Sequence, residues 1–234
     1  MHAYKFSFLC LSFLCAVQSS SAQGTFQNLG FELATLTNVS PGQIGPVPFT
    51  DAFPGWIGYW GTNPASLAGY NGVGLGSALA SIISRSSPEY SNNVIVGNYT
   101  AALKAGTYGS DLPYLPTAIA QTGAVPVTAR SLRFSAQSLY GNVSQLAVSL
   151  DGQTITYIPL SSGPNYTTYG ADITPFAGMT AELRFAEQPV PITFGAVFLD
   201  RIQFSDVAIP EPRVWVLIFC GGAMFGLRCW RRRT

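Results

Sequence analysis

Between Thr25 and Asp206 the apolar residues come in short runs, several of them alternating with polar ones, and turn-forming residues separate the runs. A period of two suits a half-buried strand, because successive side chains point to opposite faces of a sheet. No stretch sustains the 3.6-residue spacing of an amphipathic helix. The pattern predicts strands at Asn93–Gly97, Tyr99–Leu103, Ala118–Thr122, Ser131–Ala136, Gln145–Leu150, Ala181–Phe185 and Gly195–Phe204. Arg133, between Leu132 and Phe134, marks the solvent side of one of them. Asp151-Gly152 is a tight-turn dipeptide and predicts a hairpin from 146–150 into 154–158. Residues 61–88 are rich in Gly, Ser and Ala and read as loop, with Leu79–Ile83 as a candidate strand inside it. Many short strands at fairly even spacing predict one all-β sandwich spanning residues 23–207, with no fixed-period repeat.

Both ends depart from this pattern. Residues 1–22 carry Lys5, an apolar run from Phe6 to Val17, and Ser20 and Ala22 at the −3 and −1 positions of a cleavage site. That is the layout of a secretory signal peptide, and the run is short for a membrane anchor. At the other end, Val214 to Leu227 are fourteen uncharged, mostly apolar residues. As a helix they cover ~21 Å against a hydrocarbon core of ~30 Å. Extending the span to 214–230, with Arg228 snorkelling, brings it closer to a transmembrane length. Arg231, Arg232 and Arg233 then set the orientation, with the body outside the cytoplasm.

Composition narrows the function classes. Charged residues are 10% of the chain and aromatics 13%, with 24 glycines and 16 prolines, which suits a turn-rich β fold. From Gln23 to Ile209 six basic residues face ten acidic ones, so the body lacks the basic surface a nucleic acid would need. The four cysteines all lie in the terminal segments, which leaves the body without a disulfide framework or thiolate metal site. The single histidine, His2, belongs to the signal segment, so no His-based catalytic triad is expected in the body.

The tail Pro210-Glu211-Pro212, followed by Trp215, an apolar span containing Gly221 and Gly222, and Arg231 to Arg233, resembles the PEP-CTERM sorting signal of exported proteins in Gram-negative bacteria. Arg213 departs from the small residue common there. The resemblance implies that residues 208–234 are read by an exosortase, an integral membrane enzyme, after export by the secretion machinery and signal peptidase. The precursor would be held in the inner membrane and the product released to the cell surface or extracellular matrix. The body resembles the galactose-binding-like jelly rolls of carbohydrate-binding modules. The carrying motifs are Asn28-Leu-Gly-Phe-Glu32, Phe53-Pro-Gly-Trp56, Gly97–Leu103, Ala120–Thr122, Leu132–Phe134, Val148–Gly152 and Phe198–Phe204. It implies a single jelly-roll β-sandwich in which residues 28–32 form the opening strand and lie beside the last strand, 198–204.

That family often holds a structural calcium near those two strands, and Glu32 and Asp200 are the matching positions. Two carboxylates suit a hard cation. Arg201, where a second acid is common, offers a metal-free alternative through a salt bridge to Glu32. Trp56, Tyr59 and Trp60 form the densest aromatic cluster, and flat aromatic faces stack on sugar rings. The competing role is packing, since buried aromatics are the commoner use. Ten scattered acids contain no obvious catalytic pair, so a non-enzymatic body is expected. The sequence therefore points to an exported protein that adheres to or organises extracellular polysaccharide. A ligand-free structural role and a carboxylate-dependent glycan hydrolase are the alternatives.

Overall fold

The computed structural model describes residues 24–74, 77–107, 114–139, 143–189 and 195–209. The signal segment 1–22 and the sorting motif with its span 214–230 lie outside the described residues. Among the described residues no helix is long and apolar enough to cross a membrane.

The body is a β-sandwich of two sheets. Its strands are β1 (Gly45–Pro48), β2 (Ile57–Trp60), β3 (Asn63–Ala65), β4 (Leu67–Tyr70), β5 (Leu79–Ser84), β6 (Tyr99–Lys104), β7 (Thr117–Ala124), β8 (Ser131–Leu139), β9 (Leu146–Leu150), β10 (Gln153–Thr154), β11 (Tyr157–Ser162), β12 (Thr167–Asp172), β13 (Thr180–Glu187) and β14 (Ala196–Ser205). The larger sheet runs β1-β4-β5-β6-β14-β8-β12-β11 and the smaller β10-β9-β13-β7-β2-β3. Pairing is antiparallel except between β4 and β5. Proline blunts three of the four sheet edges, at Pro46 and Pro48 in β1, Pro64 in β3 and Pro159 in β11; the fourth edge, β10, has only two residues. Proline cannot donate to a ladder, so these edges are poor templates for pairing with another chain.

The inner faces meet through alternate residues. Leu103 (β6), Phe134 (β8) and Leu199 (β14) pack with Ile119 (β7), Val148 (β9) and Phe185 (β13) in one buried cluster. Phe134 and Phe185 cross between the sheets edge to face, with ring centroids 5.4 Å apart. A second, smaller cluster lies outside the large sheet, where Val94 and Ile95 cover Ile83, Ala102 and Phe198. The large sheet is thus buried on both faces here, which is why β5, β6 and β14 read as nearly continuous apolar runs.

Four expectations need correction. Residues 28–32 are not a strand: Asn28 (φ 51) and Phe31 (φ 60) turn the chain, and Phe31 N–H closes onto the Asn28 carbonyl. Residues 93–97 are not a strand either. A 3-10 turn at Ser91–Asn93 leads into an irregular cover, because Val94 and Ile95 bury against the outer cluster instead of joining a ladder. The region 61–88 holds three strands where mostly loop was expected; β3 and β4 are three and four residues long, too short to show a period. The Asp151-Gly152 turn forms, with both φ values positive (53 and 74), but the returning strand stops at Thr154 and the chain then joins the other sheet as β11.

Candidate functional site

The structure brings the candidate side chains to two places, one at β14 of the large sheet and one at β2 of the smaller. The first is a carboxylate pair around the segment 94–100. At Arg201 (φ 50) the β14 ladder slips against β8 between Asp200 and Gln203. The freed Ile202 N–H donates to the Leu29 carbonyl at 3.0 Å, so the turned segment 28–32 does lie against the last strand. This juxtaposition brings Glu32 to the same loop as Asp200. Glu32 accepts from the Asn98 N–H (2.9 Å) and the Tyr99 N–H (3.1 Å). Asp200, 1% exposed, accepts through Oδ2 from the Thr100 hydroxyl (2.8 Å) and the Val96 N–H (3.1 Å), and through Oδ1 from the Arg201 N–H (2.6 Å).

Burial drives the Asp200 pKa up to about 6, against the pull of these hydrogen bonds, and the Glu32 charge adds to the rise. The alternative salt bridge is not made: Arg201 Nη1 donates to the Tyr166 hydroxyl at 3.4 Å, and among the described residues no Lys or Arg head pairs with Glu32 or Asp200. No group of three or more His, Cys, Asp or Glu able to hold a metal occurs among the described residues. Gly97 (φ 69) closes the loop over Glu32, and a Cβ there would run into its carboxylate. Gly97→Ala combines that collision with left-handed backbone in a residue bearing a side chain. Its expected cost is about 1–3 kcal/mol, read from urea unfolding curves.

The second place is the aromatic cluster, which the fold divides. Trp56 is core: 4% exposed, with its ring 5.8 Å from Phe31 and its indole N–H donating to the Asn28 carbonyl at 3.1 Å. Tyr59 has its ring face covered by the Arg184 guanidinium at 4.4 Å. Trp60, half-buried, lines a groove of about 330 Å³ beside the β1–β4 edge. Ile44, Leu67, Tyr70 and Leu79 form its apolar walls, and Gly69, Gly72 and Gly74 keep it open. A Cβ at Gly69 would strike the Ser81 hydroxyl, which is fully buried and has no hydrogen-bond partner among the described residues.

Two side chains that the sequence reading passed over form a buried pair elsewhere. Glu187 (2% exposed) and Lys104 (1% exposed) end β13 and β6, and Glu187 Oε2 accepts from the Ala105 N–H at 2.8 Å. Burial raises the Glu187 pKa to about 8, offset in part by the Ala105 N–H and the Lys104 charge, and burial likewise lowers that of Lys104. Neither sits within a motif, so only the fold makes them neighbours.

No protein-family model matches the chain, and no curated protein does either. Solved structures with distant likeness include the Stig cyclase FisC from Fischerella sp. TAU in complex with (3Z)-3-(1-methyl-2-pyrrolidinylidene)-3H-indole. It is 14% identical with a TM-score of 0.47, over 79% of this chain and 96% of that one. The enzymatically active domain of bacteriophage CBA120 tailspike protein 4 is 14% identical with a TM-score of 0.37, over 65% of this chain and 19% of that one. The K1 cleaved adhesin domain of Lys-gingipain from Porphyromonas gingivalis is 16% identical with a TM-score of 0.36, over 72% and 100%. At these identities and TM-scores no activity carries over to this chain.

Proposed function

We propose that this chain is an exported envelope or matrix protein of a Gram-negative bacterium, delivered by exosortase-type sorting through Pro210-Glu211-Pro212. Its sandwich, of the galactose-binding-like jelly-roll class, associates non-catalytically with extracellular polysaccharide. The observation that carries the binding half is the groove itself: Trp60, half-buried, lines it beside Ile44, Leu67 and Leu79, and three glycines keep it open. A pyranose laid against that ring gains the contact that aromatic side chains give to apolar C–H faces. The hydrolase alternative needs two acids facing one cavity, and among the described residues no Asp or Glu lines this groove. Trp60→Ala is expected to abolish glycan retention in affinity electrophoresis with the host's extracellular polysaccharide, measured below the variant's own thermal midpoint because the half-buried ring also packs on the core. Unchanged retention would sink the binding half and favour a ligand-free structural role.

Calcium belongs to the same proposal. Glu32 and Asp200 both bond to the 94–100 segment, no Lys or Arg head pairs with either among the described residues, and the Leu29 to Gly30 backbone lies alongside. Those two carboxylates would hold the ion, whose contribution would be to neutralise them and stiffen the 94–100 loop. Protons compete for the Asp200 carboxylate below its pKa of about 6. Calcium should therefore raise the thermal midpoint at pH 8, chelator should reverse the rise, and the effect should shrink at pH 5. No shift at either pH would leave the two carboxylates as loop anchors only.

A further inference from the structure

The Trp60 groove has a neighbour. A pocket of about 430 Å³ opens on the other side of Tyr70, which lines both. Its walls are apolar on one side, with Leu36, Val39 and Pro41, and carry the half-exposed ring of Tyr99 on the other. Its polar members are poised differently from those of the first groove. Arg85 is exposed and spends its Nε on the Gly97 carbonyl, while its terminal nitrogens have no hydrogen-bond partner among the described residues. The Asn98 side-chain amide is exposed and equally without one. Nearby Ser86 accepts from the Gly42 N–H at 3.2 Å and shares a 2.8 Å hydrogen bond with Ser84.

An apolar wall facing an aromatic ring, edged by unspent donors and an amide acceptor, suits a sugar ring. Its C–H faces pack on the walls, and its hydroxyls both donate and accept. Charge selects among sugars. The Glu32 carboxylate is bonded to the Asn98 and Tyr99 N–H groups, on the same loop whose Gly97 carbonyl holds Arg85. Its negative charge offsets the guanidinium, so the pocket offers an acidic sugar little net attraction.

Resting on the polysaccharide reading above, we infer that the Arg85–Asn98–Tyr99 pocket is a second subsite beside the Trp60 groove, and that the ligand is a neutral polysaccharide chain long enough to reach from one to the other. Single sugars fill one subsite. A chain fills both, and affinity rises with length until the two are bridged.

Isothermal titration of the full chain in mild detergent tests this with neutral cello-, malto-, xylo- and manno-oligosaccharides of two to six units, and with a galacturonate hexamer as the acidic arm. The expected result is that a neutral hexamer binds at least tenfold more tightly than its dimer. Arg85→Ala and Asn98→Ala should each erase most of that gain, and the galacturonate hexamer should bind more weakly. The Asn98 amide makes no hydrogen bond within the described residues, so its variant separates ligand contact from any loosening of the loop. Binding that depends on Trp60 but is indifferent to length, Arg85 and Asn98 would overturn the second subsite and leave the polysaccharide reading standing. Preference for the galacturonate hexamer would overturn the neutral-sugar assignment. Failure of every oligosaccharide to bind would overturn the reading and the subsite together.

Discussion

Phe134→Ala is expected to cost about 3–5 kcal/mol of folding stability, measured by urea or thermal unfolding. The ring is fully buried in β8, stacks on Tyr169 at 5.6 Å, meets Tyr157 edge-on at 5.1 Å, and reaches across to Phe185 of the opposite sheet at 5.4 Å. Truncation removes the transfer energy of a phenyl ring and leaves a cavity that four surrounding strands cannot collapse into without losing their own contacts. Tyr157 is tied in place by a hydroxyl that donates toward the Leu146 carbonyl at 2.7 Å and the Val143 carbonyl at 3.0 Å. Burial of that hydroxyl, with Tyr169 beside it, pushes its pKa to about 12. The cavity therefore has a rigid wall. Val127→Ala is the control: Val127 is 81% exposed, and its loss should register within about 0.5 kcal/mol.

Stability should rise as the pH falls from 8 toward 4.5, the reverse of ordinary acid denaturation, and Glu187→Gln should flatten most of that slope. The Glu187 pKa moves from 4.5 to about 8 on folding, so the folded state takes up a proton that the unfolded chain does not hold in this window. The stabilising contribution is complete below pH 4.5 and is lost as pH rises through 8. Asp200 acts in the same direction over a lower window, from 3.8 to about 6. At ~1.36 kcal/mol per unit, the rise from 4.5 to about 8, which already includes the Lys104 charge, corresponds to an effect on the order of 5 kcal/mol. Glutamine mimics the protonated acid and retains an oxygen for the Ala105 N–H, so the variant should match the parent near pH 5 and exceed it at pH 8. Parallel pH profiles of the two proteins would refute the assignment.

The strand alternation read well wherever one face is buried and the run is long enough to count. Ser131–Leu139, Leu146–Leu150 and Thr180–Glu187 all lie where period two puts them, with Leu132, Phe134, Val148, Leu183 and Phe185 inward. Reading failed where tertiary cover replaced solvent. Val94-Ile-Val looked like a strand because it is apolar, yet Val94 and Ile95 are buried by lying over β6 and β14, and Val96 stays exposed. Asn28-Leu-Gly-Phe-Glu looked like the opening strand of the jelly roll, yet Phe31 needs the left-handed turn to reach Phe53 and Trp56 in the core.

The candidate site was legible by residue type and illegible by role. The sequence shows tryptophans at 56 and 60 without saying which is core; the packing of Trp56 between Phe31 and Phe185, with Trp60 left half-buried at the end of β2, decides that. Arg85, Asn98 and Tyr99 drew no notice as a group, since only the bend at Gly97 and the anchoring of that loop by Glu32 bring them beside Leu36 and Pro41.

What the sequence determined by itself is what depends on local order: an all-β body from periodicity, the turn at Asp151-Gly152, and the absence of thiol and imidazole chemistry between the terminal segments. Tertiary structure decided everything that requires distant residues to share an environment. Glu187 and Lys104 are 83 positions apart in the chain, and Glu32 lies 168 positions from Asp200. Burial and neighbouring charge, which set the proton affinity of each, exist only once the two sheets have closed.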